Sequence, residues 1–142
     1  MSTRVLVPYD GSPLSRRALE HALETFPAAD ITAIHVVNPV DSILDVEAGG
    51  LPVAEGWYDD ALEESRSTLE TATELASEHD VDLNTVTRTG RPAREILAYA
   101  DEHDTTHVVM GSHGRDGIER VFLGSVAETV TRRSPLPVTI VR

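Results

Sequence analysis

Five short runs rich in β-branched residues alternate with stretches of helical periodicity, and this alternation limits the possible folds more than any other feature. The runs cover residues 4–9, 30–37, 82–88, 106–110 and 138–141. Segments such as VLV and HVVM are apolar at consecutive positions, which is typical of strands buried on both faces. Strands that alternate with helices form right-handed βαβ units around a parallel sheet. The sequence therefore predicts an α/β fold in which residues 1–142 form a single three-layer sandwich, a five-stranded parallel sheet with helices on both faces.

Amphipathic patterns fill most of the intervals between the runs. Ser12-Pro13 predicts an N-cap followed by proline at the first helical position. The four apolar stripes are Leu14, Ala18, Leu19, Ala22 and Leu23; Tyr58, Ala61, Leu62, Ser65, Leu69, Ala72 and Ala76; Ala93, Ile96, Leu97 and Ala100; and Val126, Ala127 and Val130. Residues 38–56 make an unusually long connection, which either acts as a functional lid or is a surface loop or partner contact.

The charge balance excludes several classes of function. The chain has 24 acidic and 12 basic residues, all of the latter arginine, so its net charge is -12 and it contains no lysine. Such a charge repels nucleic-acid backbones and anionic membranes, and no apolar stretch approaches the roughly 20 residues of a membrane span. We therefore expect neither a nucleic-acid nor a membrane partner. The lack of lysine excludes P-loop and Schiff-base chemistry, and the lack of cysteine excludes thiol catalysis.

The surplus of carboxylates also bears on the source of the chain. Carboxylates remain hydrated in concentrated salt, and the salt screens their mutual repulsion. We therefore expect a halophilic archaeon, although GC-rich codon usage would also replace lysine by arginine. The N-terminus shows no signal-peptide pattern, so we expect a cytoplasmic location.

Two of the predicted strands end in residues suited to ligand binding. Ligands of open parallel sheets bind beyond the carboxyl ends of strands, where the strand order reverses. Asp10 follows the first run, where it could be a ribose-side or metal-side carboxylate or only form an Asx turn or helix cap. His113 follows the fourth run, where it could shuttle a proton or neutralise charge, or simply be solvated. His35 and His107 fall within runs and are interpreted as packed core residues.

The segment after the fourth run has the spacing G-x2-G-x9-G-S, from Gly111 to Ser125. Glycines let main-chain N–H groups approach phosphate oxygens, and Gly124-Ser125 open a helix whose N-terminus favours anions. Ser125 could cap that helix or donate its hydroxyl to a phosphate. Because lysine is absent, backbone amides, Ser112, Ser125 and Arg115 would carry the phosphate charge. The pattern predicts a phosphate-binding loop; the alternative is a loop that only turns the chain.

These segments resemble the universal stress protein family. The resemblance is carried by VPYDGS, by IHVV and by VVMGSHGRDGIERVFLGSVAETVTRRSPLPVTIVR, and it extends over nearly the whole chain. The glycine spacing is similar to that of the ATP-binding subgroup. The resemblance implies a doubly wound sheet of strand order 3-2-1-4-5, like that of adenine nucleotide alpha hydrolases, and a homodimer that pairs through the last strand, residues 138–141.

The resemblance also implies which residues bind the nucleotide. Phosphates would lie against Gly111, Ser112, Gly114, Gly124 and Ser125, with Val126 and Ala127 further along the nucleotide. Pro8, Tyr9 and Asp10 would flank adenine and ribose, with Asp10 on the ribose side. Apart from the resemblance, Asp10 could also approach a Mg²⁺ or Mn²⁺ ion that accompanies ATP. The main chain of Val36 would read adenine, and Met110 would neighbour the sugar. Family members usually have a small residue in place of Tyr9.

Three functions remain open at this point. The first is an ATP-binding regulatory or stress-response module with little or no turnover, since the sequence shows no arranged base or nucleophile and no catalytic residue is predicted. The second is a slow ATPase, or a nucleotidyl or phosphoryl transferase, in which Asp10 holds the metal and His113 or Arg115 stabilises charge. The third is a non-catalytic dimeric interaction protein. An FMN-binding flavodoxin is a more remote alternative. The phosphate loop of a flavodoxin follows the first strand, whereas the glycine-rich segment of this chain follows the fourth run.

Overall fold

The five strands form one parallel sheet in a computed structural model that describes residues 2–39, 56–113 and 123–142. In chain order the described elements are β1 (Arg4–Pro8), α1 (Pro13–Thr25), β2 (Asp30–Val37), α2 (Trp57–Glu78), β3 (Asn84–Thr89), α3 (Pro92–Glu102), β4 (His107–Gly111), α4 (Ser125–Arg133) and β5 (Val138–Val141). The strand order is β3-β2-β1-β4-β5, and all four neighbouring pairs are parallel. Both the predicted fold class and the predicted strand order are confirmed.

The central strands are buried from both sides. Val5 and Val7 pack with α1 and α2 in one cluster, whereas Leu6 packs with α3 and α4 in the other. Successive side chains of a strand point to opposite faces, so a run of three apolar residues supplies both layers at once. The continuous apolar runs of the sequence are explained by this double burial.

The helical predictions hold for α1 and fail at one residue of α2. Ser12 is the N-cap of α1, its Oγ accepts the Ser15 N–H at 3.3 Å, and Pro13 begins the helix. Tyr58 was predicted to belong to the buried stripe of α2, but it is 42% exposed, and its hydroxyl lies 3.0 Å from Thr89 Oγ1. Tyr58 lies in the first turn, where α2 extends to the end of β3. A residue in this first turn continues the apolar stripe of α2 but does not reach the core.

Three strands have boundaries that differ from the prediction by one or two residues. β3 begins at Asn84, because α2 closes with a main-chain bond from Val81 N–H to the Ala76 carbonyl and the chain needs further residues to reach the sheet. β1 ends at Pro8 because the chain turns at Gly11, whose φ is 81°. β4 runs from His107 to Gly111, one residue later than expected. β2 and β5 have the predicted limits.

Polar side chains fasten the edge strand β3 to both helical layers. On the α2 side, the buried Ser65 Oγ lies 2.7 Å from His35 Nδ1 and 2.8 Å from Thr87 Oγ1. On the α3 side, Arg88 donates to Glu102 Oε2 at 2.5 Å. This hydrogen bond to the Glu102 carboxylate raises the pKa of the Arg88 guanidinium above its ordinary value.

The two strand histidines have polar partners and are only partly buried. His35 takes part in the network with Ser65. The ring of His107 packs against Phe26 in a tilted arrangement, with ring centroids 5.2 Å apart, and its Nδ1 lies 2.9 Å from Thr106 Oγ1. They are packed, as predicted, but at polar margins of the core. None of the described helices has both the length and the apolar character that crossing a membrane requires.

Candidate functional site

The carboxyl ends of β1 and β4 lie side by side where the chain reverses the order of its strands. From β1 the chain proceeds outward through β2 to β3, and from β4 it proceeds in the opposite direction to β5. The connections therefore diverge and leave a crevice between the two strand ends, which is where ligands of such sheets bind. The predicted site residues after β1 and β4 are brought together at this edge.

Asp10 begins the turn between β1 and α1. Its Oδ1 accepts the Ser12 N–H at 2.9 Å, and its own N–H donates to Ser15 Oγ at 3.3 Å. This is the Asx turn that the sequence left open as an alternative. It fixes the carboxylate at the edge of the crevice, so the turn and a ligand-binding role are compatible.

The side chain of Tyr9 points away from the crevice. It is 2% exposed and packs in the core beneath α1 and α2. Thr71 Oγ1 donates its hydrogen to the Thr68 carbonyl at 2.6 Å, so the Tyr9 hydroxyl, also at 2.6 Å, must be the donor to Thr71. The bulk of this residue is thus accommodated in the core, and the crevice is not narrowed by it.

The main chain of Val36 faces the space above the end of β1. The β1–β2 pairing ends at Pro8 opposite Ile34, and the Tyr9 N–H donates to the Ile34 carbonyl at 2.8 Å. The Gly90 N–H donates to the Val37 carbonyl from the β3 side at 2.9 Å. Because peptide groups alternate between the two neighbours of a strand, the Val36 N–H and carbonyl point to the β1 side, past its last paired residue. Both groups are directed towards the crevice.

Close packing explains the glycine at the end of β4. A Cβ atom at Gly111 would lie 2.9 Å from Leu14 Cβ and 3.0 Å from the Leu14 carbonyl carbon. The first turn of α1 therefore rests directly on this strand end. Met110, which precedes it, is buried in the cluster beneath α3 and α4. Its side chain packs in the core, and its main chain belongs to the strand end.

Ser112 connects β4, β5 and α4. Its N–H donates to the Val141 carbonyl at 2.9 Å, and its carbonyl accepts the Gly124 N–H at 2.7 Å. Its side chain is nearly inaccessible, at 3% exposure, and Oγ lies 3.0 Å from His113 Nδ1. The hydroxyl that the sequence assigned to phosphate is therefore already engaged by the neighbouring imidazole.

The start of α4 presents uncapped amides. Gly124 is the N-cap with extended backbone and has no side chain to cap the helix, and the first helical bond runs from Glu128 N–H to the Gly124 carbonyl at 2.9 Å. The amides of Ser125, Val126 and Ala127 precede that bond, as the first N–H groups of any helix do. Ser125 is the first residue of the helix and is exposed. The prediction that Ser125 caps the helix is wrong, because the N-cap is Gly124. A Cβ at Gly124 would lie 3.0 Å from the Ser112 carbonyl oxygen. The lack of a side chain at this position therefore lets α4 begin close to β4.

Some predicted positions lie outside the described residues. Gly114 and Arg115 belong to residues 114–122, and most of the long connection belongs to residues 40–55. Within the described ranges, no group of three or more metal-ligating side chains is found. A separate groove of about 370 Å³ lies between α2 and β3, and its lining contains none of the predicted site residues.

Two contacts of this site could not have been found by reading the sequence alone. The approach of Leu14 to Gly111 joins residues far apart in the chain, and its only signal is the glycine itself. The pairing of Ser112 with His113 joins adjacent residues, but adjacent side chains after a strand meet only when the local backbone turns them together.

Comparison with known proteins gives a consistent result. The model of the Universal stress protein family matches residues 1–142. Universal stress protein YxiE of Bacillus subtilis is 34% identical over 148 residues, which cover 100% of each chain. The solved structure of MJ0577, a protein of Methanocaldococcus jannaschii, has a TM-score of 0.81 at 26% identity and covers 99% of this chain and 96% of that chain. A universal stress protein in complex with cAMP has a TM-score of 0.72 at 25% identity, covering 99% and 97%.

Proposed function

Because the chain belongs to the universal stress protein family, we propose that it binds an adenine nucleotide, ATP in particular, in the crevice between β1 and β4. The observation that carries the proposal is the junction of β4 and α4, where the Gly124 N–H meets the Ser112 carbonyl at 2.7 Å. This bond places the uncapped amides of α4 beside the strand ends. In this proposal the protein is a small regulatory or stress-response module in which the bound nucleotide is a signal and turnover is slight.

The phosphate end of the proposed site rests on main-chain donors. Amides at a helix N-terminus attract anions through their N–H groups and the helix dipole. Ser125 is exposed there, and Val126 and Ala127 follow it. Gly114 and Arg115 extend the proposed phosphate contacts.

The adenine end of the proposed site rests on the edge of β2. A peptide group that presents both a donor and an acceptor suits the edge of adenine, which also offers one of each. Val36 directs such a group to the β1 side, past the pairing of Pro8 with Ile34. The structurally similar universal stress protein in complex with cAMP supports an adenine nucleotide as the class of ligand.

A divalent ion would accompany the nucleotide in this proposal. Mg²⁺ prefers oxygen ligands and is usually held by one or two carboxylates together with substrate phosphates. Asp10 supplies a carboxylate that the Asx turn with Ser12 fixes at the crevice edge. Its chemistry therefore fits Mg²⁺ or Mn²⁺, which would neutralise phosphate charge when bound.

Removal of a single amide tests the binding site. Proline is favoured at the first position of a helix, and the extended backbone of Gly124, at φ -64° and ψ 160°, is the conformation that a following proline requires. Ser125→Pro should therefore preserve α4 while it removes the Ser125 N–H together with the hydroxyl. We expect about a tenfold loss of ATP affinity, since a hydrogen bond to a charged group contributes about 1.5–3 kcal/mol.

Isothermal titration with ATP and Mg²⁺ in concentrated NaCl measures this effect, with Ser125→Ala as the matched control that keeps the amide. Because Ser125→Ala lacks only the hydroxyl, Ser125→Pro should bind ATP about tenfold more weakly than this control, and that difference measures the amide. Absence of heat with the wild-type protein at millimolar ATP would exclude ATP as its ligand. Equal affinities of Ser125→Pro and the wild type would exclude this helix terminus as the phosphate site.

Turnover is measured separately. Phosphate release that persists through purification and falls in Asp10→Ala would favour the slow ATPase or transferase over the regulatory module. Phosphate release that is equal in the wild type and in Asp10→Ala would indicate a contaminating enzyme. A protein that binds no nucleotide but retains its cellular role would favour the non-catalytic interaction protein.

We further propose a homodimer in the cytoplasm, paired through Val138–Val141. β5 is the last strand of the sheet next to β4, so its other edge is open to a second copy within the part of the chain that is described. Thr139 is exposed on this strand.

Thr139→Asp places like charges near one another in such a pair and should shift the mass in light scattering towards the monomer. Thr85→Asp, on the opposite edge strand β3, is the control and should leave the mass unchanged; a monomeric wild type would contradict the proposal.

A further inference from the structure

β3 lies at the edge of the sheet opposite to β5, and within the described residues one row of its main-chain groups has no strand beside it. The Gly90 N–H donates to the Val37 carbonyl, so the main chain at Gly90 points towards β2. The peptide groups of a strand alternate between its two sides, so the N–H and carbonyl groups of Thr85, Thr87 and Thr89 point to the open side. The pairing with β2 is continuous, and the strand contains no proline. This edge therefore lacks the bulges and prolines that commonly prevent another strand from pairing with an edge.

A groove of about 370 Å³ opens between this edge strand and α2. Leu62 and Leu69 line it from the helix, and Thr85 and Thr87 line it from the strand. The distance of 2.8 Å between Thr87 Oγ1 and Ser65 Oγ shows that the Thr87 side chain points to the α2 side. Successive side chains of a strand point to opposite faces, so a strand added beside β3 would direct every second side chain into the groove.

Carboxylates dominate the outer rim of the groove. Glu70 lines the groove, and Glu63 and Glu74 lie one or two turns away on the same side of α2, all three exposed. Arg66 is the basic residue of the lining, so the rim carries three carboxylates and one guanidinium. Four helix residues rise about 6 Å and two strand residues about 6.6 Å, so basic side chains at alternate positions of an added strand match the spacing of Glu70 and Glu74. The aliphatic stems of such side chains would lie against Leu62.

We propose that the edge of β3 and this groove bind an extended segment of another protein, which carries lysine or arginine at alternate positions and adds to the sheet as a sixth strand. The main chain of Thr85 and Thr87 supplies the hydrogen bonds, and Glu70 and Glu74 select the basic side chains. A second copy of the chain fits this edge poorly, because it would bring together the acidic rims of two molecules of net charge -12. Residues 40–55 contain four acidic and no basic residues, so they do not meet the charge requirement either. The surface contains no residue of the crevice, and the inference is independent of nucleotide binding.

Hydrogen exchange of the β3 amides locates the added strand. The probe is a blocked peptide of six residues, the length of β3, in which arginine alternates with threonine. We expect saturation with this peptide to slow exchange at Thr85 and Thr87 about tenfold or more, because both amides gain an acceptor. The Val86 amide, which faces β2, is the internal control and should not change. The same peptide with glutamate in place of arginine should have no effect.

Two results of this measurement would overturn the proposal. A basic peptide that perturbs the acidic surface broadly without protecting Thr85 and Thr87 is attracted only by the net charge. Protection of these two amides that grows with protein concentration in the absence of peptide assigns the edge to a second copy. Absence of binding at millimolar basic peptide excludes the site altogether.

Variants separate the contribution of the main chain from that of the charges. Proline is tolerated on an edge strand where its missing N–H faces outward, so Thr85→Pro removes one outward donor and leaves the pairing with β2. We expect it to bind the basic peptide about tenfold more weakly, whereas Thr85→Val, which keeps the amide, should stay within about twofold of the wild type. Glu70→Gln combined with Glu74→Gln should weaken binding about fivefold. Glu128→Gln, on α4 at the other face of the sheet, is the matched control and should bind like the wild type.

A methylated peptide gives the same comparison if Thr85→Pro does not fold. Methylation of the peptide nitrogens on the side that pairs with β3 removes its donors and leaves the wild-type protein unchanged, and it should also weaken binding about tenfold. Equal binding of the methylated and unmethylated peptides overturns strand addition. Equal binding of the wild type and the Glu70→Gln, Glu74→Gln protein overturns the selection of basic side chains.

Discussion

Individual atoms determine how closely the elements around the crevice approach. Gly111 and Gly124 belong to the pattern that indicated phosphate binding, yet each also has a steric role that requires no ligand. A Cβ at Gly111 would meet Leu14 of α1, and a Cβ at Gly124 would meet the Ser112 carbonyl oxygen. Side chains at these positions would push α1 or α4 from the sheet edge. The two glycines thus shape the crevice whether or not a ligand is bound.

Gly111→Ala should lower the free energy of unfolding by about 1–3 kcal/mol, the usual cost of overpacking. The reason is that the contact at 2.9 Å involves Leu14 Cβ, close to the backbone, which cannot move aside as a flexible chain end can. Urea denaturation followed by circular dichroism, at fixed salt, measures the change. Ser125→Ala, an exposed position, should stay within about 0.5 kcal/mol of the wild type. A Gly111→Ala protein as stable as this control contradicts the steric role.

At the scale of the elements, the two helices that begin beside the crevice, α1 and α4, differ in the arrangement of their first amides. α1 is capped by Ser12, with proline as its first residue. α4 begins at Gly124 without a side-chain cap. A capped helix has a satisfied N-terminus, whereas an uncapped one keeps its amides for water or a ligand. This difference favours α4 over α1 as the anion-binding helix, although both start beside the crevice.

Ser12→Ala should lower the free energy of unfolding by about 1 kcal/mol, because the Ser15 N–H loses its acceptor. Ser12→Gly should cost only a few tenths of a kcal/mol, since glycine is itself accepted at the N-cap. Urea denaturation of the two variants and the wild type gives the comparison. If alanine and glycine cost the same, the hydroxyl of Ser12 does not stabilise α1.

For the whole molecule, charge is the dominant feature. A net charge of -12 on 142 residues generates repulsion that opposes the compact state, and salt screens it. Local pairs such as Arg132 with Glu128, at 3.5 Å on the surface, contribute little because they are exposed. Stability should therefore depend on the ionic strength of the medium more than on any single ion pair.

The thermal midpoint should rise by on the order of 5 °C between 0.05 and 0.5 M NaCl, because the Debye length falls from about 14 to about 4 Å over this interval. Differential scanning calorimetry measures it. Glu74 and Glu78 are exposed like charges one turn apart near the C-terminus of α2, which has no basic residue in its last turn. Neutralising them as Glu74→Gln and Glu78→Gln should raise the low-salt midpoint and reduce the salt dependence. A midpoint that does not change with salt contradicts this account and weakens the expectation of a halophilic source.

The sequence by itself determined the class of fold. Runs of consecutive apolar residues require burial on two faces, and helical stripes between them require parallel strands with helical layers. The spacing of Gly111, Gly124 and Ser125 also predicted a ligand site between a strand and a helix. These features are local, so they can be read from neighbouring residues.

Only the tertiary structure decided what each side chain does at the crevice. It directs Tyr9 into the core towards Thr71, and it pairs Ser112 with His113. It leaves Tyr58 exposed at the end of α2. Periodicity gives the face of an element on which a side chain lies, but the distance to its neighbours depends on how elements remote in the chain pack together. The fold was therefore predictable from the sequence, whereas the contacts of the site required the packed molecule.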